Sequence, residues 1–367
     1  LNGGGGSNTL SSASPGSWII NATDAGQLGS IHFTAMQNLT EGAKPGFGRF
    51  NFVGTGNLTG SINGGANATL DYSANGGDPI AVNLATGKAS RIGGTFSGIA
   101  ALFGSTATTN TLTAANTFNN WSVWGNSGTI NGVNGFFFTG IANLVGGTGV
   151  DIFQLSPGTT VSSINGGGAP AGQGDWLDYS AVSTAVTVNL ATGSATGVNG
   201  GAAGSVTNIQ NVHGGSGSNT LTGNAQGNIL IGGHGTISGG AGRSLLIGDS
   251  GSNTITGGSG NVATGGDILI GGSTVYDTDT NANLTALMAI FAEWQSADSY
   301  ATRFSKINTG AIPGGYKLNY GTTVFGGSST LTGATGGSAP AVDWFFAGSF
   351  DKIVPSGYEL GEHVNNT

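Results

Sequence analysis

Apolar residues along this chain come in short bursts set between glycine-rich turns. Over 213–272 the bursts are three residues long: Asn-Thr-Leu, Asn-Ile-Leu, Ser-Leu-Leu, Asn-Thr-Ile and Asp-Ile-Leu. Glycines open successive turns at Gly214, Gly223 and Gly232, then at Gly239, Gly248 and Gly257, nine residues apart within each group. A nine-residue cadence of turn and apolar triplet signals a parallel β-helix or β-roll. Glycine suits the turns because it tolerates positive φ. Leu221, Leu230, Leu246, Ile255 and Leu269 are expected to point inward and stack on one another.

Upstream, the bursts alternate with polar residues, as in Ile31/Phe33, Phe50/Phe52, Leu70/Tyr72 and Ile80/Val82/Leu84, with turn residues at intervals of roughly ten residues. This region is doubled. Ser61-Ile62-Asn63-Gly64-Gly65 recurs from Ser163, Leu70-Asp71-Tyr72-Ser73-Ala74 from Leu177, and Val82-Asn83-Leu84-Ala85-Thr86-Gly87 from Val188. The spacing suits a solenoid or a sandwich. The solenoid is favoured because both copies run into nonapeptide-like segments without a change of composition. Asn residues at equivalent turns could then form hydrogen-bonded ladders along the axis.

From Tyr276 the period changes. Leu284, Leu287, Met288, Phe291 and Trp294 follow helical spacing, and Tyr300, Phe304 and Ile307 extend the stripe. One amphipathic helix over 283–307 is expected, with Asn281 or Asn283 as its N-cap. The tail returns to β-texture at Ser329-Thr330-Leu331-Thr332 and Asp343-Trp344-Phe345-Phe346. The expected fold is therefore all-β: a parallel β-solenoid (β-helix or β-roll) with one amphipathic α-helix and an aromatic-rich C-terminal cap. Its divisions are 1–109 and 110–212 for the two module copies, 213–275 for the nonapeptides, and 276–367 for the helix and cap.

The nonapeptide stretch resembles the hemolysin-type (RTX) repeat family, whose pattern is G-G-x-G-x-D-x-U-x. Gly146-Gly147-Thr148-Gly149-Val150-Asp151-Ile152-Phe153-Gln154 fits it in full. Gly3 to Ser11 and Gly214 to Thr222 fit with Asn8 and Asn219 at the aspartate position, while the turns from Gly248 and Gly239 carry Asn253 and Ser244 there. The resemblance implies calcium held by turn aspartates and backbone carbonyls. The candidate ligands are Asp151 and Asp267 at the motif position and Asp249 in a nearby turn. Asn for Asp keeps an oxygen and removes a charge, which lowers calcium affinity. The competing reading is that coils stack without metal and these aspartates are turn formers. The order of modules also resembles the C-terminal part of large repeat-containing bacterial surface proteins, adhesins and matrix proteins among them.

Composition narrows the function. Glycine contributes 73 of 367 residues, charged residues only 7%, and the net charge is −8. Nine scattered basic residues leave no footprint for nucleic acid. There is no cysteine, so disulfides, Cys-zinc sites and thiol catalysis are excluded. No stretch is apolar for long enough to span a membrane. The sequence opens on Leu1 with no signal peptide, which reads as a processed form or fragment.

Catalytic signals are thin. His32, His213, His234 and His363 lack metal-ligand spacing, and His213 and His234 read as exposed turn residues. Asp71 and Asp178, in the repeated Leu-Asp-Tyr-Ser, read as turn or strand-end residues. Asp175 with Asp178 is the nearest acidic pair, and a loop reading outweighs a glycosidase-like one. Trp121, Trp124, Phe136, Phe137 and Phe138 could form a sugar platform but read as core, like Trp18 and Phe33 in the first copy. The expected function is a non-enzymatic extracellular or cell-surface structural protein, self-assembling into a fibre, layer or matrix, or an adhesin. Its expected partners are copies of itself and a cell surface or polysaccharide. The alternative is a calcium-dependent folding and secretion module of a larger exported protein, with a β-helix carbohydrate enzyme third.

Overall fold

The computed structural model describes residues 1–42, 46–132, 135–259, 266–278, 280–333, 342–354 and 363–365. Glu359, Glu362 and the side chain of His363 lie outside the described residues. The described chain is all-β in class, with short strands in mostly parallel ladders and two α-helices in its C-terminal third. It forms two compact units: Leu1–Asp151 with Gly158–Gly167, and Ile152–Pro157 with Gly168–Thr367.

In the first unit, strands Ser17–Ala22, Arg49–Phe52, Ile62–Asp71, Phe96–Phe103 and Phe136–Thr139 pair in parallel, one on the next. The register places Trp18, Phe50, Leu70, Leu102 and Phe138 in one row, all fully buried. Burying each such side chain contributes about 1.5–3 kcal/mol, so the row is a main stabilising element of this unit. A second ladder stacks Val82, Leu112, Leu144 and Ile164.

The doubled sequence folds alike. Ser17–Ala22 turns antiparallel onto Ala25–Leu28 and then Ile31–Phe33, as Asn119–Trp124 does onto Ser127–Ile130 and Phe136–Thr139. Trp18 meets Phe33 edge-on at 6.2 Å, and Trp121 meets Phe138 edge-on at 5.8 Å. The core reading of the aromatics thus holds for Trp121 and Phe138, whereas Trp124 is 42% exposed. Trp121 and Trp124 are an odd number of residues apart on one strand, so they project to opposite faces.

In the second unit, successive strands fall alternately into two parallel ladders. The first ladder contains Trp176–Asp178, Asn211–His213, Ile229–Ile231, Leu245–Ile247, Ile268–Ile270 and Trp344–Phe346. The second contains Thr187–Asn189, Asn219–Thr222, Gly235–Ser238, Asn253–Thr256, Thr330–Thr332 and Lys352–Val354. The inward residues therefore do not form one stack. Leu230, Leu246 and Leu269 align in the first ladder, while Leu221, Ile237 and Ile255 align in the second.

The C-terminal segment departs from expectation in two ways. Instead of one helix there are α1 (Asn281–Gln295) and α2 (Tyr300–Thr309). The apolar stripe runs on across the break, but Ser299 accepts a hydrogen bond from the Thr302 N–H at 3.2 Å and starts a new helix. Thr280, rather than Asn281 or Asn283, caps α1 by accepting from the Asn283 N–H. The second departure is position. The helices are inserted between the strands Ile268–Ile270 and Thr330–Thr332, and the aromatic Trp344–Phe346 is itself a strand of the first ladder. They lie against that ladder rather than at its end. Trp294 of α1 sits 6.1 Å from Trp344, and Phe304 of α2 sits 4.7 Å from it. The reason is the strand sequence: Ile229–Ile231, Leu245–Ile247, Ile268–Ile270 and Trp344–Phe346 are apolar on both faces and need cover on both.

Candidate functional site: the stacked turn residues

The positions that the nonapeptide pattern assigns to metal binding are held by hydrogen bonds from N–H groups. The Asn219 amide donates to the Gly215 and Gly232 carbonyls, both at 2.6 Å. Asn253 donates to the carbonyls of Gly248 at 2.9 Å and Ser250 at 3.1 Å; Asn119, in a turn without the glycine pattern, donates in the same way to those of Ala115 at 2.9 Å and Thr117 at 2.8 Å. Turn carbonyls converge here on an amide nitrogen, where in a calcium site they would converge on the ion.

The glycine cadence follows from the same geometry. A Cβ on Gly214 would stand 2.9 Å from the Asn219 amide nitrogen and 2.5 Å from the Gly232 carbonyl oxygen. On Gly146 it would stand 2.5 Å from a carboxylate oxygen of Asp151. At Gly3, Gly146, Gly214, Gly223 and Gly248 the residue opening the turn must lack a side chain because the side chain five positions later folds over it.

The three candidate ligands are placed separately. Asp151 is fully buried and accepts hydrogen bonds from the Asn119 amide at 3.0 Å, the Trp121 indole at 2.9 Å and the Gly147 N–H at 3.0 Å. Burial pushes its pKa up to about 6, against the lowering effect of those donors. Asp267 is buried and accepts from the Ser244 N–H at 2.5 Å and the Gly258 N–H at 2.7 Å. Burial, and secondly the neighbouring Asp343 carboxylate, push it up to about 7. Asp249 is half-buried with a left-handed backbone, φ 58°, and its N–H donates to the Gly272 carbonyl at 2.7 Å. Among the described residues no three His, Asp or Glu side chains converge as a metal site would require. The donor set around Asp151 and Asp267 consists of N–H groups aimed at carboxylates, which fits a closed turn and not a calcium shell.

Side chains at these turns also bind the neighbouring strand segment of the same ladder. In the first ladder the Asp175 N–H donates to the Gln210 side chain at 2.8 Å, Asn228 N–H to Ser244 Oγ at 3.2 Å, and Asp267 N–H to Asp343 Oδ1 at 2.6 Å. In the second, Asn253 N–H donates to Ser329 Oγ at 3.1 Å and Ser329 N–H to Asp351 Oδ1 at 2.6 Å. The ladder expected of Asn alone is thus built from Asn, Gln, Ser and Asp. Each rung satisfies a buried N–H that the strand pairing leaves over. Asp343 and Asp351 were not singled out by the sequence pattern. Their place immediately before an apolar-centred triplet is the signal that finds them.

Other candidates resolve as structural. Asp71 and Asp178 accept from Ser73 N–H at 2.9 Å and Ser180 N–H at 2.8 Å, identical Asx turns in the two copies. Asp71 also pairs with Arg49. The tyrosines that follow donate to matching carbonyls, Tyr72 to Ser90 and Tyr179 to Thr196, both at 2.7 Å, and burial raises both phenol pKa values. Asp175 and Asp178 lie three residues apart along extended chain and so face opposite ways. His213 corrects the expectation of an exposed turn residue: it ends a strand and is 7% exposed. Its charge acts to lower the pKa of buried Asp277, which burial first of all raises to about 7. His32 and His234 are exposed. Glu41 was missed; it is buried and accepts from the Trp18 indole at 2.8 Å, as Asp151 does from Trp121.

No family model matches the chain, and no curated protein matches it significantly. Among the described residues no helix is long and apolar enough to cross a membrane.

Proposed function

We propose that this chain is a non-enzymatic extracellular structural protein: a parallel β-solenoid of the nonapeptide-repeat kind that assembles with copies of itself into a surface fibre, layer or matrix, or serves as an adhesin. The observation that carries the reading is the rung system, in which side chains at equivalent turns close their own turn and accept the N–H of the neighbouring coil. A stack held coil to coil in this way can be continued by a coil of another chain, because strand edges present the same unpaired groups. Amide N–H donors stand in for a cation at the turns, so the coils stack without calcium. The shortage of charge and cysteine and the resemblance to bacterial surface repeats support an extracellular setting.

The test is electron microscopy of the purified chain with chelator present, beside circular dichroism with and without calcium. Fibres or sheets, and a β-spectrum indifferent to chelator, are expected. A monodisperse monomer at high concentration would overturn assembly. A chain that is disordered in chelator and folds on adding calcium would replace this reading with the calcium-dependent secretion module.

A further inference from the structure

The second ladder of the second unit has an outer face lined by short polar side chains. Its inward residues Val188, Leu221, Ile237, Ile255 and Leu331 are buried. The residues on either side of them face out in two ranks: Thr187, Thr220, Thr236, Thr254 and Thr330 in one, and Asn189, Thr222, Ser238, Thr256 and Thr332 in the other. The pairing from coil to coil has no register shift, so the ranks are straight in sequence register. Thr187, Thr220, Thr236 and Thr254 are exposed, and the second rank is half-buried. Neither rank carries a charge until the ladder reaches Lys352.

We propose that this face binds ice. Three features point to a crystalline water lattice. The first is two-dimensional regularity: neighbouring strands repeat at about 4.7–4.9 Å, and residues two apart on a strand at about 6.6 Å, so hydroxyls recur on a near-rectangular net close to the oxygen repeats on faces of hexagonal ice. The second is rigidity. Threonine is stiff at χ1, so a rank of threonines holds hydroxyls and methyls in fixed directions, which a rank of lysines or glutamines would not. The third is chemistry. Hydroxyl groups can donate to and accept from lattice water, the methyls between them disfavour liquid hydration, and no ion imposes its own hydration shell.

Other occupants fit less well. A crystalline polysaccharide is gripped by aromatic rings, and the ranks contain none. A second copy of the chain would bury facing rows of hydroxyls without the aromatic and aliphatic anchors that hold protein interfaces. The first ladder makes the contrast within one unit: from Ile229–Ile231 to Trp344–Phe346 its strands are apolar on both faces and α1 and α2 pack against them, while the ranks from Thr187 to Thr332 are polar and uncharged. The inference does not depend on self-assembly, because a monomeric chain presents the same ranks.

The test is thermal hysteresis and ice-crystal shaping by the full chain, with recrystallisation inhibition as a second readout. The wild type is expected to show a hysteresis gap and faceted crystals. Thr254→Tyr, which raises a bulky ring in mid-face, is expected to lose most of the gap. The double variant Thr236→Val/Thr254→Val, which keeps shape and strand propensity, is expected to weaken it with an unchanged circular dichroism spectrum. Ser305→Lys, exposed on α2, is expected to leave it intact. A wild type without hysteresis or crystal shaping overturns the proposal. So does a gap unchanged by both face variants. Retention on crystalline cellulose or chitin, or a dimer in light scattering, that disappears with Thr254→Tyr while hysteresis is absent assigns the face to those occupants instead.

Discussion

The two ladders of the second unit start from one turn grammar and end with opposite outer faces. Both use three- or four-residue parallel strands, a central apolar residue that is buried in nearly every strand, and turns closed by side-chain rungs. On the first, the flanking residues in its middle strands are Ile229 and Ile231, Leu245 and Ile247, Ile268 and Ile270, all fully buried. On the second they are mostly threonines, with Asn189 and Ser238 among them, and Thr187, Thr220, Thr236 and Thr254 are exposed. The backbone does not distinguish them. Two side chains per coil decide whether a face recruits a helix or stays in water. Isoleucine on an outer position leaves apolar area that must be covered, and a two-helix insertion supplies the cover. Threonine satisfies the same β-propensity with a hydroxyl that water accepts.

The comparison breaks most visibly where the cover is removed. Trp294 is buried, lies 6.1 Å from Trp344 and 5.6 Å from Tyr300, and donates its indole N–H to the Gly266 carbonyl at 3.0 Å. Trp294→Ala is expected to cost about 3–5 kcal/mol, the range for large aromatic truncation in a core. Urea unfolding followed by circular dichroism checks it. A loss below about 1 kcal/mol would mean that the helices rest on the ladder without stabilising it.

A smaller effect is expected inside a rung. The Asn253 amide donates to two carbonyls, and its own Oδ1 is buried with no hydrogen-bond partner among the described residues. Asn253→Asp replaces the donor by a charge facing carbonyl oxygens. The expected cost in chelator is about 1–3 kcal/mol, the penalty of a buried group left unsatisfied. Partial recovery with millimolar calcium is expected, because binding to the folded form alone stabilises it. The melting temperature with chelator and with calcium is the measurement. No destabilisation in chelator would show that the amide is not the group closing the turn.

Much of this was legible beforehand, and its limits have a physical cause. The nine-residue cadence, the inward Leu221, Leu230, Leu246, Ile255 and Leu269, and the doubled module all come from strictly local rules of turn and alternation. Local rules do not say which coil a strand pairs with, so one imagined stack became two ladders. A cue was present: Ile-Leu-Ile reads as a strand buried on both faces, and Thr-Ile-Thr as one buried on a single face. The helix break escaped because apolar spacing resumes at Tyr300, Phe304 and Ile307 just beyond Ser296-Ala297-Asp298-Ser299, where Ser299 marks the restart. At the candidate site, the exchange of Asp for Asn was visible. That the Asn219 amide would meet the carbonyls of both Gly215 and Gly232 depends on pairing between successive strands, which no local pattern encodes.

A third test compares the polar rungs by pH. Asp267 and Asp277 are pushed up to about 7 and Asp151 to about 6, in each case first by burial. In the unfolded chain an aspartate titrates near about 3.9. The folded state therefore holds these protons more tightly. Their contribution is complete below about pH 4 and is lost as pH rises through about 6–7, at most about 1.4 kcal/mol per pH unit for each group. Asp267→Asn removes one titrating group, so its stability should fall less steeply over this window than that of the wild type. Parallel stability profiles for the two proteins would show that Asp267 is ionised throughout.

The smallest effect is expected on the open ladder, and it sharpens the comparison because it is small. Thr254 is exposed, and no hydrogen bond from its hydroxyl to another residue is seen among the described residues. Valine matches its shape and its preference for strand. Thr254→Val should therefore change stability by no more than about 0.5 kcal/mol, as surface substitutions do. Set beside Trp294→Ala, this separates two uses of an outer face. A face that stabilises the fold must lose stability when its side chains change. A face that does not can lose its hydroxyls with the fold intact, and what it then loses reports on what it meets outside the chain. A cost of about 2 kcal/mol or more for Thr254→Val would place this rank among the stabilising contacts and erase the distinction between the two ladders.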